Sequence, residues 1–132
     1  MIIGFGTDIQ VISDIEESLA EHGDNWLTVI LTEREIEHLK ANSKTVDSVA
    51  GRIAAKEAAM KALELLPSDD VDWLNFEIVN AESGKPELFI NGSPKEKLDR
   101  LGATDIWLSI SHSGDYAIAQ VIIEVRCNNL NR

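Results

Sequence analysis

Apolar and polar positions alternate differently along the chain, with strand-like patterns at both ends and helical ones between. Ile2, Ile3, Phe5 and Ile9, set around Gly4 and Gly6, predict a short buried strand with Asp8 at its end. Ser13-Asp-Ile-Glu16 has the capping-box spacing, in which a hydroxyl caps helical amides and a glutamate three residues on reaches back, so a helix is expected from there. Thr32-Glu-Arg-Glu35 repeats the signal, and Ile36 and Leu39 on one face extend that second helix to about Ala41. Residues 47–66, DSVAGRIAAKEAAMKALELL, predict the longest helix, closed by Pro67 and roughly 30 Å long at 1.5 Å per residue. Val49, Ile53, Met60 and Leu63 recur at helical spacing and mark its core-facing stripe. Gly51 costs such a helix about 1 kcal/mol relative to alanine, which points to a close contact or a late start there.

Beyond Pro67 the period becomes two. WLNFEIVN at 73–80 and PELFI at 86–90 predict a hairpin around Glu82-Ser-Gly-Lys-Pro86. Ser93-Pro-Lys-Glu96 supplies a cap, a proline at the first helical position and a glutamate, so a short helix should run to about Leu101. DIWLSIS at 105–111 and YAIAQVIIE at 116–124 flank His112-Ser-Gly-Asp115 as a second hairpin. The order of elements implies an α+β fold, a mostly antiparallel sheet packed on one long helix, in a single domain over 1–125 with a polar tail over 126–132.

Composition narrows the partners. A net charge of −11 disfavours nucleic acid and anionic membranes, both of which need Lys and Arg to neutralise phosphates. One cysteine, Cys127, excludes an internal disulfide, and no stretch approaches the ~20 apolar residues of a membrane span. A cytoplasmic protein is expected. A chain of 132 residues has little interior for a deep cavity, so a large ligand would sit between subunits.

The candidate chemistry centres on the long helix. Glu57 and Lys61 stand four apart on one face, the spacing of an ordinary helix ion pair worth about 0.2–0.5 kcal/mol. Asp8, at the end of an apolar strand, needs a partner if buried, and a turn or cap would serve as well as a cation. Magnesium commonly takes one or two protein carboxylates and completes its shell with water and phosphate oxygens, a demand that Asp8 and Glu57 could meet together, with Lys61 neutralising phosphate. His112 follows Ser109 and Ser111 at a hairpin mouth, where a turn histidine is commonplace, and Gly84-Lys85-Pro86 reads most simply as a turn.

Four segments, GFGTDI at 4–9, AGRIAAKEAAMKAL at 50–63, SGKPEL at 83–88 and LSISHSGDYAIAQVIIE at 108–124, together resemble the holo-acyl-carrier-protein synthase family in order and approximate spacing. The resemblance implies transfer of 4'-phosphopantetheine from coenzyme A to a serine of an apo acyl carrier protein. It further implies that Asp8 and Glu57 hold magnesium on the coenzyme A diphosphate while Lys61 contacts phosphate. Glu57 comes first and Asp8 second as the group orienting the base. Arg52 would assist phosphate binding or brace the site, His112 with Ser109 and Ser111 would line the nucleotide cleft, and Lys85 with Pro86 would lie near the coenzyme. The resemblance also implies a homotrimer with sites between subunits, the usual assembly of the family's short members. A non-catalytic coenzyme A-binding or assembly module that kept the fold is the alternative.

The sequence departs from the family where relatives carry basic residues that grip an acidic carrier. Between Val11 and Ile30 it has Asp14, Glu16, Glu17, Glu21 and Asp24 and no Lys or Arg. The carrier is therefore expected to be atypical and less acidic, or to dock through Arg34, Lys40 and Lys44.

Overall fold

The computed structural model describes residues 1–42, 45–66 and 68–127. Pro67, Lys44 and positions 128–132 of the polar tail lie outside the described residues. The elements run β1 (Ile2–Val11), α1 (Ile12–His22), α2 (Asp24–Ile30), α3 (Glu33–Ala41), α4 (Val46–Ala62), a 3-10 turn (Trp73–Asn75), β2 (Phe76–Asn80), β3 (Pro86–Ile90), α5 (Gly92–Leu101), β4 (Asp105–Ser113) and β5 (Tyr116–Glu124). The α+β architecture is as expected, but the strands divide into two antiparallel sheets, a three-stranded one in the order β1-β5-β4 and the β2-β3 hairpin.

Helix α4 is the centre of the molecule. Instead of one core-facing stripe it is buried on nearly every side, from Val49 through Lys56 and again at Ala58, Ala59 and Ala62. The alanines make this workable, because they lose no rotamer freedom on burial and let neighbours approach closely. One end of the helix packs with Phe76, Ile78, Leu88, Ile90, Val121 and Ile123, the other with Ile12, Ile15, Leu27, Ile30 and Leu39. Met60, expected in the stripe, is only partly buried.

Strand β1 meets α4 without intervening side chains. A Cβ at Gly6 would fall 1.9 Å from the Ala58 carbonyl oxygen, and one at Gly4 would fall 2.4 Å from that of Ala62. No larger residue fits at either position unless the strand lifts off the helix. At Gly51, where a close contact was one expectation, a Cβ would lie 2.9 Å from His112 Nε2.

Several boundaries differ from the sequence reading, each for a local reason. Strand β1 runs to Val11, which places Asp8 inside the strand, paired with Ala119, instead of at its end. Ser13 does not cap α1: the helix follows the strand directly, and the Asp115 carboxylate from the β4–β5 turn accepts from the Ser13 amide at 2.9 Å and its hydroxyl at 2.6 Å. Helix α2 was not foreseen, since Asn25-Trp-Leu-Thr-Val-Ile30 has poor helix propensity, and burial of Leu27 and Ile30 overrides it. The Thr32–Glu35 capping box forms as expected.

Helix α4 ends at Ala62, before Leu66, in a Schellman closure. The Leu65 amide donates to the Met60 carbonyl at 3.1 Å and the Glu64 amide to that of Lys61 at 3.0 Å. Glu64 takes the left-handed conformation at φ 53°, and its lack of a glycine hid the stop. Trp73–Asn75 forms a 3-10 turn capped by Asp72, so the strand expected from 73 begins at Phe76. Helix α5 starts at Gly92, and the Ser93 hydroxyl donates to the Asp70 carbonyl at 2.6 Å instead of capping it. Strand β4 continues to Ser113, which draws His112 into the strand.

Candidate active site

The packing of β1 on α4 sets four polar side chains together. Positions 4, 6, 8 and 10 of the strand share one face, and the two glycines bring that face onto the helix where Glu57 and Lys61 project. Asp8, 9% exposed, receives the Lys61 ammonium on Oδ1 at 2.9 Å and the Gln10 amide on Oδ2 at 2.7 Å. The same Gln10 Nε2 donates to Glu57 Oε2 at 2.9 Å, and Lys61 also donates to the Thr7 carbonyl at 3.0 Å.

Two carboxylates this close cannot both ionise freely. Burial first, then the hydrogen bond and charge of Asp8, push Glu57 up to about 7, while Lys61 and Gln10 pull it back. Glu57 therefore holds its proton toward neutral pH. Among the described residues no group of three or more His, Cys, Asp or Glu side chains gathers at one point. A cation here would therefore rely on two protein carboxylates, with its other positions left to water or substrate, which is the donor chemistry magnesium accepts.

Arg52 and His112 belong to a second site on the other flank of α4. They line a cleft of about 210 Å³ with Ser48, Gly51, Asn80, Pro86 and Ile110. His112 donates from Nε2 to the Asp47 carbonyl at 2.9 Å, which fixes the ring against the first turn of α4. Arg52 is 7% exposed, its Nε has no hydrogen-bond partner, and its terminal nitrogen reaches Asn80 Oδ1 only at 3.5 Å. Burial lowers its pKa, with Glu35 opposing. Five residues separate Arg52 from Glu57, about 140° around the helix and about 8 Å along it.

Lys85 lies in neither group. Its ammonium sits 5.4 Å from the centre of the Trp107 ring, a cation–π contact at the gap between β3 and β4, while Pro86 bridges that gap and the His112 cleft. Ser109 and Ser111 alternate with the inward Leu108 and Ile110 and are exposed, so they point from the sheet face opposite α4. A single chain thus unites Asp8, Glu57 and Lys61, gathers Arg52, Pro86 and His112 separately, and leaves Lys85, Ser109 and Ser111 apart.

Two features escaped the sequence reading. Gln10 carried no motif signal. Glu35, read only as a capping residue, is a buried carboxylate that also accepts from Lys56 Nζ at 2.7 Å and from the Ile78 amide at 3.3 Å, with Arg52 Nε at 3.9 Å. Lys56 is fully buried, and its remaining donors go to the Ile30 and Trp73 carbonyls at 2.6 and 3.3 Å. Desolvation lowers its pKa against the pull of Glu35.

The sequence profile described as the 4'-phosphopantetheinyl transferase superfamily matches residues 4–121. A holo-acyl-carrier-protein synthase of Vibrio cholerae serotype O1 (strain M66-2) is 41% identical over 126 residues, covering 96% of this chain and 100% of that protein. The crystal structure of holo-acyl-carrier-protein synthase from Neisseria meningitidis superposes with a TM-score of 0.85 at 33% identity, over 94% of this chain and 99% of the other. The Helicobacter pylori holo-acyl-carrier-protein synthase in complex with coenzyme A superposes at 0.79 with 30% identity, over 91% and 99%.

The raised pKa of Glu57 yields a pH prediction for the metal-free protein. The folded state holds a proton up to about 7 that the unfolded chain releases near 4.5, so stability is greatest below that window and falls as pH rises through it. Denaturant melts in chelator should show this decline, and Glu57→Gln should flatten it relative to wild type. An identical pH slope in the two proteins would remove Glu57 as its source.

Proposed function

The chain belongs to the 4'-phosphopantetheinyl transferase superfamily, and from that premise we propose how its residues divide the work of a holo-acyl-carrier-protein synthase. The reaction moves 4'-phosphopantetheine from coenzyme A to a serine of an apo acyl carrier protein and releases adenosine 3',5'-bisphosphate. The observation that carries the assignment of roles is the paired carboxylate of Asp8 and Glu57 with Lys61 alongside.

In the transfer, the serine oxygen forms a bond to the phosphorus bearing pantetheine, and that phosphorus releases the bridging oxygen to the leaving phosphate. The serine proton must go to a base, and the enzyme otherwise positions groups and neutralises charge. Asp8 and Glu57 are the magnesium ligands in this reading. Bound magnesium would clamp the coenzyme A diphosphate and offset charge on the leaving group. Lys61 spends two donors on Asp8 and Thr7, and its third is left for a phosphate oxygen. A carboxylate or a metal-bound water would take the serine proton, with Glu57 the first choice for orienting that base and Asp8 the second. Arg52, His112 and Pro86 would receive the nucleotide half in their cleft, with Lys85, Ser109 and Ser111 also contacting coenzyme A.

The separation of those groups supports sites shared between copies. The sheet face opposite α4 exposes Phe5 and Ile9, each 59% accessible, with Trp107 and Tyr116, an apolar surface that a lone antiparallel sheet would make polar. A homotrimer would cover it, and would set Ser109 and Ser111 against a neighbouring copy. The number three rests on the family resemblance, and a light-scattering mass of one chain would exclude it. Among the described residues no helix is long and apolar enough to cross a membrane, and a cytoplasmic location accords with the acidic composition.

The carrier is the remaining partner. Asp14, Glu16, Glu17, Glu21 and Asp24 are all exposed on α1 and at the start of α2, so this surface repels an acidic carrier. A less acidic carrier, or docking through Arg34 and Lys40 on α3, fits the charge better. Arg34 is exposed there, paired with Glu77 at 3.2 Å.

The direct test incubates the protein with coenzyme A, magnesium and apo carrier and weighs the carrier by mass spectrometry. Wild type should add one phosphopantetheine, whereas Asp8→Asn and Glu57→Gln should each lose about 100-fold or more in rate while staying folded. Near wild-type turnover in either variant at limiting magnesium removes that residue as a ligand. With a standard acidic carrier, the apparent KM should be high and should fall or stay level as salt rises, because screening weakens repulsion at a Debye length of about 10 Å in 0.1 M salt. Replacing Glu16 and Glu17 by Lys should lower that KM. Efficient use of an acidic carrier at low salt, lost steeply on adding salt, would exclude the acidic run as the docking face.

A further inference from the structure

Gln10 is placed where its amide does two jobs at once. Both of its N–H donors are spent, one on Asp8 Oδ2 at 2.7 Å and one on Glu57 Oε2 at 2.9 Å, so the nitrogen lies between the two carboxylate oxygens. Only the amide nitrogen satisfies this geometry, since the carbonyl end would face two acceptors. A divalent ion held by these two carboxylates would need the oxygens that the amide nitrogen now engages. Lys61 holds Asp8 Oδ1 at 2.9 Å from the other side, so Oδ2 is the oxygen that Gln10 guards.

We propose that Gln10 is a displaceable stand-in for the cation, bridging Asp8 and Glu57 in the metal-free protein and leaving its position when a divalent ion enters. The inference rests on the reading of Asp8 and Glu57 as cation ligands. Gln10 is a positioning residue that acts through the two carboxylates. Its amide keeps them converged while the site awaits its ion, at the cost of competing with that ion. Hydrogen bonds to charged groups are strong enough for the competition to be measurable. The strand supplies the means of release, because position 10 lies next to the last residue of β1, on the edge strand of the sheet, and its side chain is only partly buried.

The test uses the full chain without coenzyme A, Mn2+ alone as the probe, and water-proton relaxation to read binding. Gln10→Ala and Gln10→Leu should each bind Mn2+ about 5- to 10-fold more tightly than wild type, since no amide has to be displaced. Both should melt a few degrees lower in chelator, because the carboxylate pair has lost its bridge, and should gain more from added metal. Equal or weaker Mn2+ binding in both variants overturns the proposal. Asp8→Asn separates the two levels. If wild type binds Mn2+, Asp8→Asn loses it and the Gln10 variants bind as wild type, only the stand-in role fails. If wild type binds none, or Asp8→Asn binds equally, the cation reading fails and this inference with it.

Discussion

The contact between β1 and α4 is made by backbone against backbone, and the rest of the site depends on it. With Gly6 against the Ala58 carbonyl and Gly4 against that of Ala62, the strand approaches the helix far more closely than side-chain packing normally permits. At that distance the next two inward positions, Asp8 and Gln10, fall within hydrogen-bond reach of Glu57 and Lys61. A single methyl group at position 6 would separate strand and helix and take the carboxylates out of range of one another. Burial against the helix, and after it the nearness of Asp8, is what raises the pKa of Glu57 and sets the pair apart from two solvated acids.

The opposite side of α4 is fixed by a different kind of interaction. Lys56 and Glu35 are fully enclosed, and an enclosed ion pair is tolerable only if its remaining hydrogen-bonding capacity is also met. Here the ammonium ties α4 to the end of α2 and to Trp73, while the carboxylate caps α3 and receives the Ile78 amide. The helix is thereby held against rotation about its own axis, which alanine packing alone would resist weakly. Arg52, ion-paired with the same carboxylate at 3.9 Å but with its Nε lacking a hydrogen bond, marks where this structural network borders the cleft of His112.

Much of this was legible in the chain, and the exceptions have common physical causes. Element types were readable where helix-forming composition was strong, as in α4, or period-two alternation was, as in β3, β4 and β5, while Asp8, Glu57 and Lys61 stood out through the family resemblance, helical spacing alone reading as an ordinary ion pair. What failed was local capping: Ser13 and Ser93 each had the right neighbours, yet Asp115 and Asp70, distant in sequence, took their hydrogen bonds. Helix α2 and the enclosed Lys56–Glu35 pair were invisible because both are decided by tertiary burial. Gln10 was missed because a lone amide in a strand is ordinary until a carboxylate 47 residues away is found beside it.

The register of the sheet explains why one chain holds the carboxylate pair and the histidine cleft apart. Asp8 and Ile110 are both paired with Ala119, and Gln10 and His112 both with Ala117, so the groups of β1 and β4 stand level, two strands apart. At about 4.8 Å per strand that is nearly 10 Å, and the intervening surface over β5 is covered by α4 itself. No side-chain movement lets Asp8 and His112 meet across the helix. A ligand as long as coenzyme A that needs the carboxylate pair at one end and the histidine cleft at the other must therefore pass around α4 or draw the two halves from different chains. The exposed apolar sheet face carrying Phe5, Ile9 and Trp107 would suit the second route. In this fold the helix that positions Glu57 and Lys61 on one flank and Arg52 on the other also keeps the carboxylate pair and the histidine cleft apart.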